Sequence, residues 1–245
     1  MIKFFRNIRR SLVNKNQIRK YAKYAIGEIL LVVIGILIAL QVDNWNDNRK
    51  TRAQEHTILS QLNQDLRANL QEINGINEVT QLRLSACETV LNYFDTNKPV
   101  DDNLKRSFEY INNDDLFNNA NTTYKFIENQ GLNFLSNDSL HSKITWMYER
   151  HFKNISKREY RNMEMLRNNL RPLLDQLFTA TKTQHVFYDE DYKINTPLDM
   201  ESLRTNVQFR NLIIRIQNYL KLRHGWQVDT LKELEQLIND IDIEL

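Results

Sequence analysis

The chain has 245 residues, 41 % of them hydrophobic and 26 % charged, with a formal net charge of +2 and one cysteine. That length holds one domain with a small appendage. Five Gly and three Pro exclude a loop-rich β-sandwich, a Rossmann unit and a disordered linker protein. A single Cys excludes a disulfide framework and any metal site with more than one thiolate ligand.

The near-neutral total conceals an asymmetry. Residues 1–23 carry Lys3, Arg6, Arg9, Arg10, Lys15, Arg19, Lys20 and Lys23 and no acid, so the rest of the chain is net acidic. Phe4, Phe5, Ile8 and Leu12 recur at near-helical spacing while Arg6, Arg9 and Arg10 fall on other faces. This is the pattern of a short amphipathic helix lying on an anionic inner leaflet. A basic tail that only sets membrane topology has the same composition. No nucleic-acid-binding motif accompanies the charge, and no nucleic-acid partner is expected.

Residues 24–42 read YAIGEILLVVIGILIALQV, with one charge in nineteen positions. At about 1.5 Å per residue they cover about 28 Å, close to the hydrocarbon thickness of a bilayer. The uninterrupted apolar run, 29–40, is short enough that a buried soluble helix competes. Insertion energies decide between the two. Roughly a dozen strong apolar residues at about −0.3 to −0.6 kcal/mol each outweigh one carboxylate at about +3 kcal/mol. Glu28 also lies about one turn inside Lys23 and Tyr24, within reach of the headgroups. A transmembrane helix is therefore expected over 24–45, with Lys23, Tyr24 and Trp45 at its interfaces.

The basic residues before the span place the N-terminus in the cytoplasm. No A-x-A cleavage site follows the apolar run, so an uncleaved signal anchor is expected rather than a removed signal peptide. Residues 46–245 then form an extracytoplasmic, periplasmic domain of an inner-membrane protein. Within the span, Gly35 and Ala39 are a small-x-x-x-small pair that lets a second helix approach closely. Glu28 lies seven residues from Gly35 on the same face, with Gly27 beside it, and Gln41 ends the polar set. Together they outline an interaction stripe for another copy or another membrane protein. The competing reading has Gly and Ala as ordinary span residues and Glu28 reaching to the headgroups.

Beyond the span an apolar stripe runs Ile58, Leu62, Leu66, Leu70, Ile73, Ile76, Leu84, Cys87, Leu91 and Phe94 in steps of mostly three and four. Asn97-Lys98-Pro99 stops it, and Asp101 caps a shorter helix carrying Leu104, Phe108 and Ile111. A continuous helix over 46–94 would be roughly 70 Å long. A second stripe follows the cap-type cluster Ser136-Asn137-Asp138. It runs Leu140, Ile144, Met147, His151, Ile155, Met163, Leu166, Leu170, Leu173 and Leu177, and Pro172 should bend or interrupt it. Between Thr181 and Asn195 the pattern fails, and 185–193 reads as a loop or a short irregular extension. A third stripe starts near Asn206 and passes through Leu212, Ile213, Ile216, Tyr219, Leu220, Leu231, Leu234, Ile238 and Ile241. No segment beyond the span shows sustained period-two alternation. The expected fold is all-α, a transmembrane helix continuing into an antiparallel bundle of long helices.

The chemistry-bearing motifs are thin. The sequence has no G-x-G-x-x-G, Walker A, H-E-x-x-H, E-x-x-H or G-x-S-x-G. His56, His141, His151, His185 and His224 are scattered. Asp138 and His141 share a helix face, but two ligands do not make a catalytic metal site. Asp189, Glu190 and Asp191 form an acidic run without the glycine and ligand spacing of a calcium loop. Cys87 falls on the apolar stripe, where it packs as a small hydrophobe; a disulfide across a dimer is the alternative. The N-x-S/T matches at Asn121, Asn137 and Asn154 are no more than chance predicts in so Asn-rich a chain.

The basic MIKFFRNIRR opening together with the 24–46 segment YAIGEILLVVIGILIALQVDNWN closely resembles a family of single-pass bacterial membrane proteins of unknown function. Its signature here is G-E-I-x-L-V-V-I-G-I-L-I-A-L-Q-x-x-N-W-N. A looser likeness spans 123–148, where Gly131-Leu132-x-x-Leu135 precedes Asn137-Asp138-x-Leu140. The resemblance implies an inner-membrane anchor with a helical extracytoplasmic region. It makes Glu28, Gly35, Gln41 and Trp45 motif positions without giving them a role, and it implies no catalytic residue, metal or cofactor.

The function expected from these observations is that of a non-enzymatic partner-binding or scaffold protein of the cell envelope, held in the lipid bilayer. The alternative is an extracytoplasmic ligand-sensing domain that signals through a partner membrane protein, since some 23 cytoplasmic residues leave no room for an output domain. An enzyme would require distant His and carboxylate groups to be gathered by the fold.

Overall fold

The computed structural model describes residues 18–96, 100–112, 116–131, 134–183 and 191–245, without the side chains of 18–21, 24, 180–183 and 191–195. The amphipathic pattern over Phe4–Leu12, the Asn97-Lys98-Pro99 stop and the acids Asp189 and Glu190 lie outside the described residues. The chain divides into two compact units, Met1–Thr57 and Ile58–Leu245. The first helix, α1 (Ile18–Asp95), passes through that boundary.

In the first unit the helix has no proline over residues 18–57, and Gly27 and Gly35 are its weakest helix formers. Twelve large apolar side chains between Ile26 and Val42 are each 44 % to 71 % exposed. This is the one apolar stretch among the described residues long enough to cross a membrane.

Among the described residues, the regular structure of the second unit is helical apart from one hairpin. After α1 come α2 (Asp102–Ile111), α3 (Thr122–Gln130) and α4 (Asp138–Trp146). A π-helical stretch, Met147–Phe152, leads into α5 (Lys153–Met165), and a second, Leu166–Leu170, into α6 (Arg171–Leu177). Residues 138–177 thus form one helical rod. The hairpin β1 (Phe178–Thr183) and β2 (Asp191–Pro197) precedes α7 (Met200–Thr205) and α8 (Val207–Glu244).

The caps follow the sequence. Asp101 accepts the N–H of Leu104, Asn137 that of Leu140 and Asn206 that of Phe209, at 2.7 to 3.0 Å. Pro172 does not end the rod: the helix widens to π geometry over Leu166–Leu170 and continues. The wider turn accommodates a ring that has no N–H to give and would crowd the carbonyl four residues back.

The hairpin strands flank the expected loop: of 185–193, residues 191–193 belong to β2 and 185–190 lie outside the described residues. The strands are antiparallel, with Thr179 opposite Thr196 and Thr183 opposite Asp191, and the register shifts between Thr179 and Ala180. Thr-rich FTATKT is β-branched at alternate positions, which favours a pleated strand over a helix. Asp191, expected in an acidic loop, opens β2.

Polar contacts give the directions of the long helices in the second unit. Asn63 meets Asp242 at 2.6 Å, Asn77 meets His224 at 2.7 Å and Asp95 meets Arg210 at 2.8 Å, so α1 and α8 run in opposite senses. The rod is likewise antiparallel to α8, with Lys143 on Asp240 and Glu159 on Arg223, both at 2.7 Å. The core comes in two apolar clusters. One gathers Leu62, Leu66, Ile73, Tyr148, Phe152, Leu234 and Ile241. The other gathers Cys87, Val90, Phe108, Leu166, Phe209 and Ile216. Along all three helices the two clusters are separated by buried polar residues: Thr80 and Arg83, Glu159 and Asn162, and Arg223, Gln227 and Thr230.

Residues 116–121, ahead of α3, have no ladder to satisfy their backbone, so side chains supply the partners. Phe117 N–H donates to Glu159, Asn118 N–H to Glu72 and Ala120 N–H to Asn69, at 2.7 to 2.8 Å.

Candidate functional site

Two regions hold candidate residues, one in each unit. In the first unit, a Cβ at Gly35 or Gly27 would meet no described atom within 4 Å beyond its chain neighbours and the local helix backbone. Lys23, Ala39 and Gln41 are exposed, and Glu28 is half-buried. The side chain of Tyr24 lies outside the described residues. Trp45 is 64 % exposed, with the Arg49 guanidinium 5.6 Å from its ring centroid. The residues of the expected interaction stripe therefore lie along one helix, and among the described residues Gly35 has open space beside it.

In the second unit, the rod and α8 enclose an open groove. Its successive hollows measure about 800, 260 and 300 Å³. Trp146 and Trp226 line it from opposite helices. Each indole carries a guanidinium: Arg150 lies 4.9 Å from the Trp146 ring centroid and Arg158 lies 3.6 Å from that of Trp226. Cations attract the negative face of an indole, so each pair holds its own geometry.

The π-helical stretch Met147–Phe152 sets the groove's centre. Its five-residue hydrogen-bonding interval aligns side chains that an α-helix would splay apart. Trp146 Nε1 donates to His151 Nε2 at 3.0 Å across that interval. The same nitrogen lies 2.8 Å from Glu233 Oε2. One ring nitrogen cannot accept from an indole and donate to a carboxylate at once. A proton on Nε2 selects Glu233; its absence selects Trp146.

Beneath the groove sits the buried polar layer. Glu159 accepts from Arg223 and from the Phe117 N–H, both at 2.7 Å. Burial pushes the Glu159 carboxyl above the ordinary carboxylate range, against the pull of the Arg223 guanidinium and the Phe117 N–H. Burial also pushes the Tyr219 hydroxyl, at the groove's basic end, up to about 12. Arg83 donates to the Ile111 carbonyl at 3.2 Å and so satisfies an acceptor at the C-terminus of α2.

A model of a family of unknown function (DUF6090) matches residues 28–191, about two thirds of the chain. The chain belongs to the DUF6090 family. No curated protein matches it, and no solved structure does. The region shared with DUF6090 runs from Glu28 through the rod and includes Trp146, Arg150, His151 and Arg158. The α8 wall of the groove, with Arg215, Trp226 and Glu233, lies beyond it.

Several other candidates in this DUF6090 member are resolved by the geometry. Cys87 is fully buried in an apolar cluster, which overturns the alternative of a disulfide across a dimer. Asp138 is exposed at the start of α4, one turn from the partly exposed His141. Among the described residues, no three His, Cys, Asp or Glu side chains gather in metal-binding range. Sequence reasoning placed His151 on an apolar stripe and passed over Trp146, Trp226 and Arg158. One signal was available: Trp146 and Arg150 stand one helical turn apart. Arg158 and Trp226 are 68 positions apart, and only the fold stacks them.

Proposed function

We propose that this chain is a single-pass protein of the bacterial inner membrane, of a non-enzymatic kind, that works by binding partners. Residues 24–45 cross the bilayer with the N-terminus cytoplasmic, and the helical second unit stands in the periplasm. The span associates with another copy or another membrane protein along Glu28, Gly35 and Ala39. One observation carries the reading. The large side chains between Ile26 and Val42 are all about half exposed or more, whereas sequestering each from water is worth roughly 1.5–3 kcal/mol. Lipid supplies that cover, and the basic residues before the span set its direction.

Flotation of the full chain with membranes, resistant to alkaline extraction, is the first expected result. A chain that stays soluble without detergent overturns the proposal. A periplasm-dependent reporter fused after Leu245 should be active and a cytosol-dependent one silent; the reverse pattern overturns the orientation. Crosslinking in native membranes should lose or change products in Gly35→Leu and Glu28→Gln. An unchanged partner profile counts against association through this stripe.

The groove between the rod and α8 favours a second reading, a ligand-sensing domain acting through a partner membrane protein. A ligand that raises the melting temperature of the full chain and changes its crosslinking pattern separates a sensor from a scaffold.

A further inference from the structure

The groove is not uniform. Its wide end carries Lys143, Lys232, Asp229, Glu233 and Asp240, both signs of charge together. The hollow of about 300 Å³ at the opposite end is lined by Arg158, Arg161 and Arg215 and by no acidic residue. Its floor is aromatic: the Tyr219 and Trp226 rings lie 6.5 Å apart, edge to face. Among the described residues no carboxylate pairs with any of these three arginines. The nearest buried acid, Glu159, is already committed to Arg223.

Three like charges around one hollow repel each other, and an anion relieves that repulsion. A guanidinium stacked on an indole keeps its N–H edges free and fixed in direction, which suits two-point recognition of a carboxylate or phosphate. The Tyr219 and Trp226 rings offer apolar surface to whatever carries the anion. Asn162 lines the same hollow and is buried.

We propose that this hollow is a binding site for a small organic anion, a carboxylate or phosphate on an apolar body. It extends the sensing reading by a ligand class and does not depend on the membrane placement.

The test uses the full chain in neutral detergent with Trp45→Phe and Trp146→Phe, leaving Trp226 as the one indole. Phenyl phosphate and benzoate are titrated against Trp226 emission, beside inorganic phosphate, benzyl alcohol and vesicles containing phosphatidylglycerol. At least one of the two aromatic anions should bind saturably and more tightly than inorganic phosphate, and benzyl alcohol should not bind. The exposed pair Arg161→Gln and Arg215→Gln should weaken that binding by about tenfold or more with the melting temperature unchanged. The proposal is overturned if neither aromatic anion saturates at millimolar concentration, or if the double variant binds as well as the parent. Tighter binding of inorganic phosphate overturns the aromatic floor's role, and a response to vesicles alone overturns the small-molecule site in favour of a lipid surface.

Discussion

Glu159 on α5 and Arg223 on α8 meet at 2.7 Å with only 3 % and 4 % of their side chains exposed. They stand in the polar layer that interrupts an otherwise apolar core. An ion pair so placed gives up two hydration shells and recovers them through mutual attraction and added hydrogen bonds. The Phe117 N–H supplies one such bond, so this pair also fixes the segment between α2 and α3.

Removing one partner should therefore cost far more than removing both. Arg223→Met should destabilise the second unit by about 3–5 kcal/mol, because it leaves a buried carboxylate uncompensated. Glu159→Leu combined with Arg223→Met should recover part of that loss. Denaturant unfolding of the full chain in detergent measures both. An Arg223→Met variant within about 1 kcal/mol of the parent would show that the pair is not isolated from water.

The pH dependence has a definite sign. Burial raises the Glu159 pKa in the fold above its unfolded value of 4.5. The folded state then holds the proton more tightly, and this group's contribution to stability falls as pH rises from the ordinary carboxylate range through the raised pKa. Glu159→Gln has no such proton to lose. The stability difference between variant and parent should move in favour of the variant as pH rises across that window. A difference that is flat, or that moves the other way, contradicts the assignment.

Cys87 should be chemically inert in the folded chain. It is fully buried, and burial pushes its thiol up to about 12, so almost no thiolate exists near neutrality. Iodoacetamide at pH 8 should leave it unmodified until denaturant is added. Modification of the native chain at the rate of a free thiol would refute its burial.

Asn69 holds the backbone of Ala120 by both ends. Its Nδ2 donates to the Ala120 carbonyl at 2.9 Å and its Oδ1 accepts the Ala120 N–H at 2.7 Å. Tyr148 donates to the same carbonyl at 3.1 Å. Asn69→Asp keeps the shape but turns a donor into an acceptor facing that carbonyl. The expected cost is about 1–3 kcal/mol, read by thermal unfolding, and Asn69→Ser should not restore it. A silent Asn69→Asp would mean that the segment 116–120 is held by its other partners alone.

Much of the helical layout was legible in the residues. The cap Asp101 and the cap-type cluster around Asn137 read correctly because capping is local: one side-chain oxygen meets an N–H two or three positions on. The hairpin was missed because six Thr-rich residues are too short for periodicity to separate strand from loop. The groove was missed for a different reason. Its defining pairs, Arg158 with Trp226 and His151 with Glu233, join positions far apart in the chain, and no local pattern encodes them.

The amino-acid order alone determined that the chain is helical, where its apolar stripes run and which stretch is greasy enough for lipid, because helix period and hydropathy act over a few residues. Each stripe also skips: from Ile76 to Leu84, from Ile155 to Met163 and from Leu220 to Leu231. Only the tertiary structure decided that these three gaps meet at one level, where Arg83, Glu159 and Arg223 fill them. Burying a charge requires partners on other helices, and which helix face arrives opposite is settled by packing the whole unit.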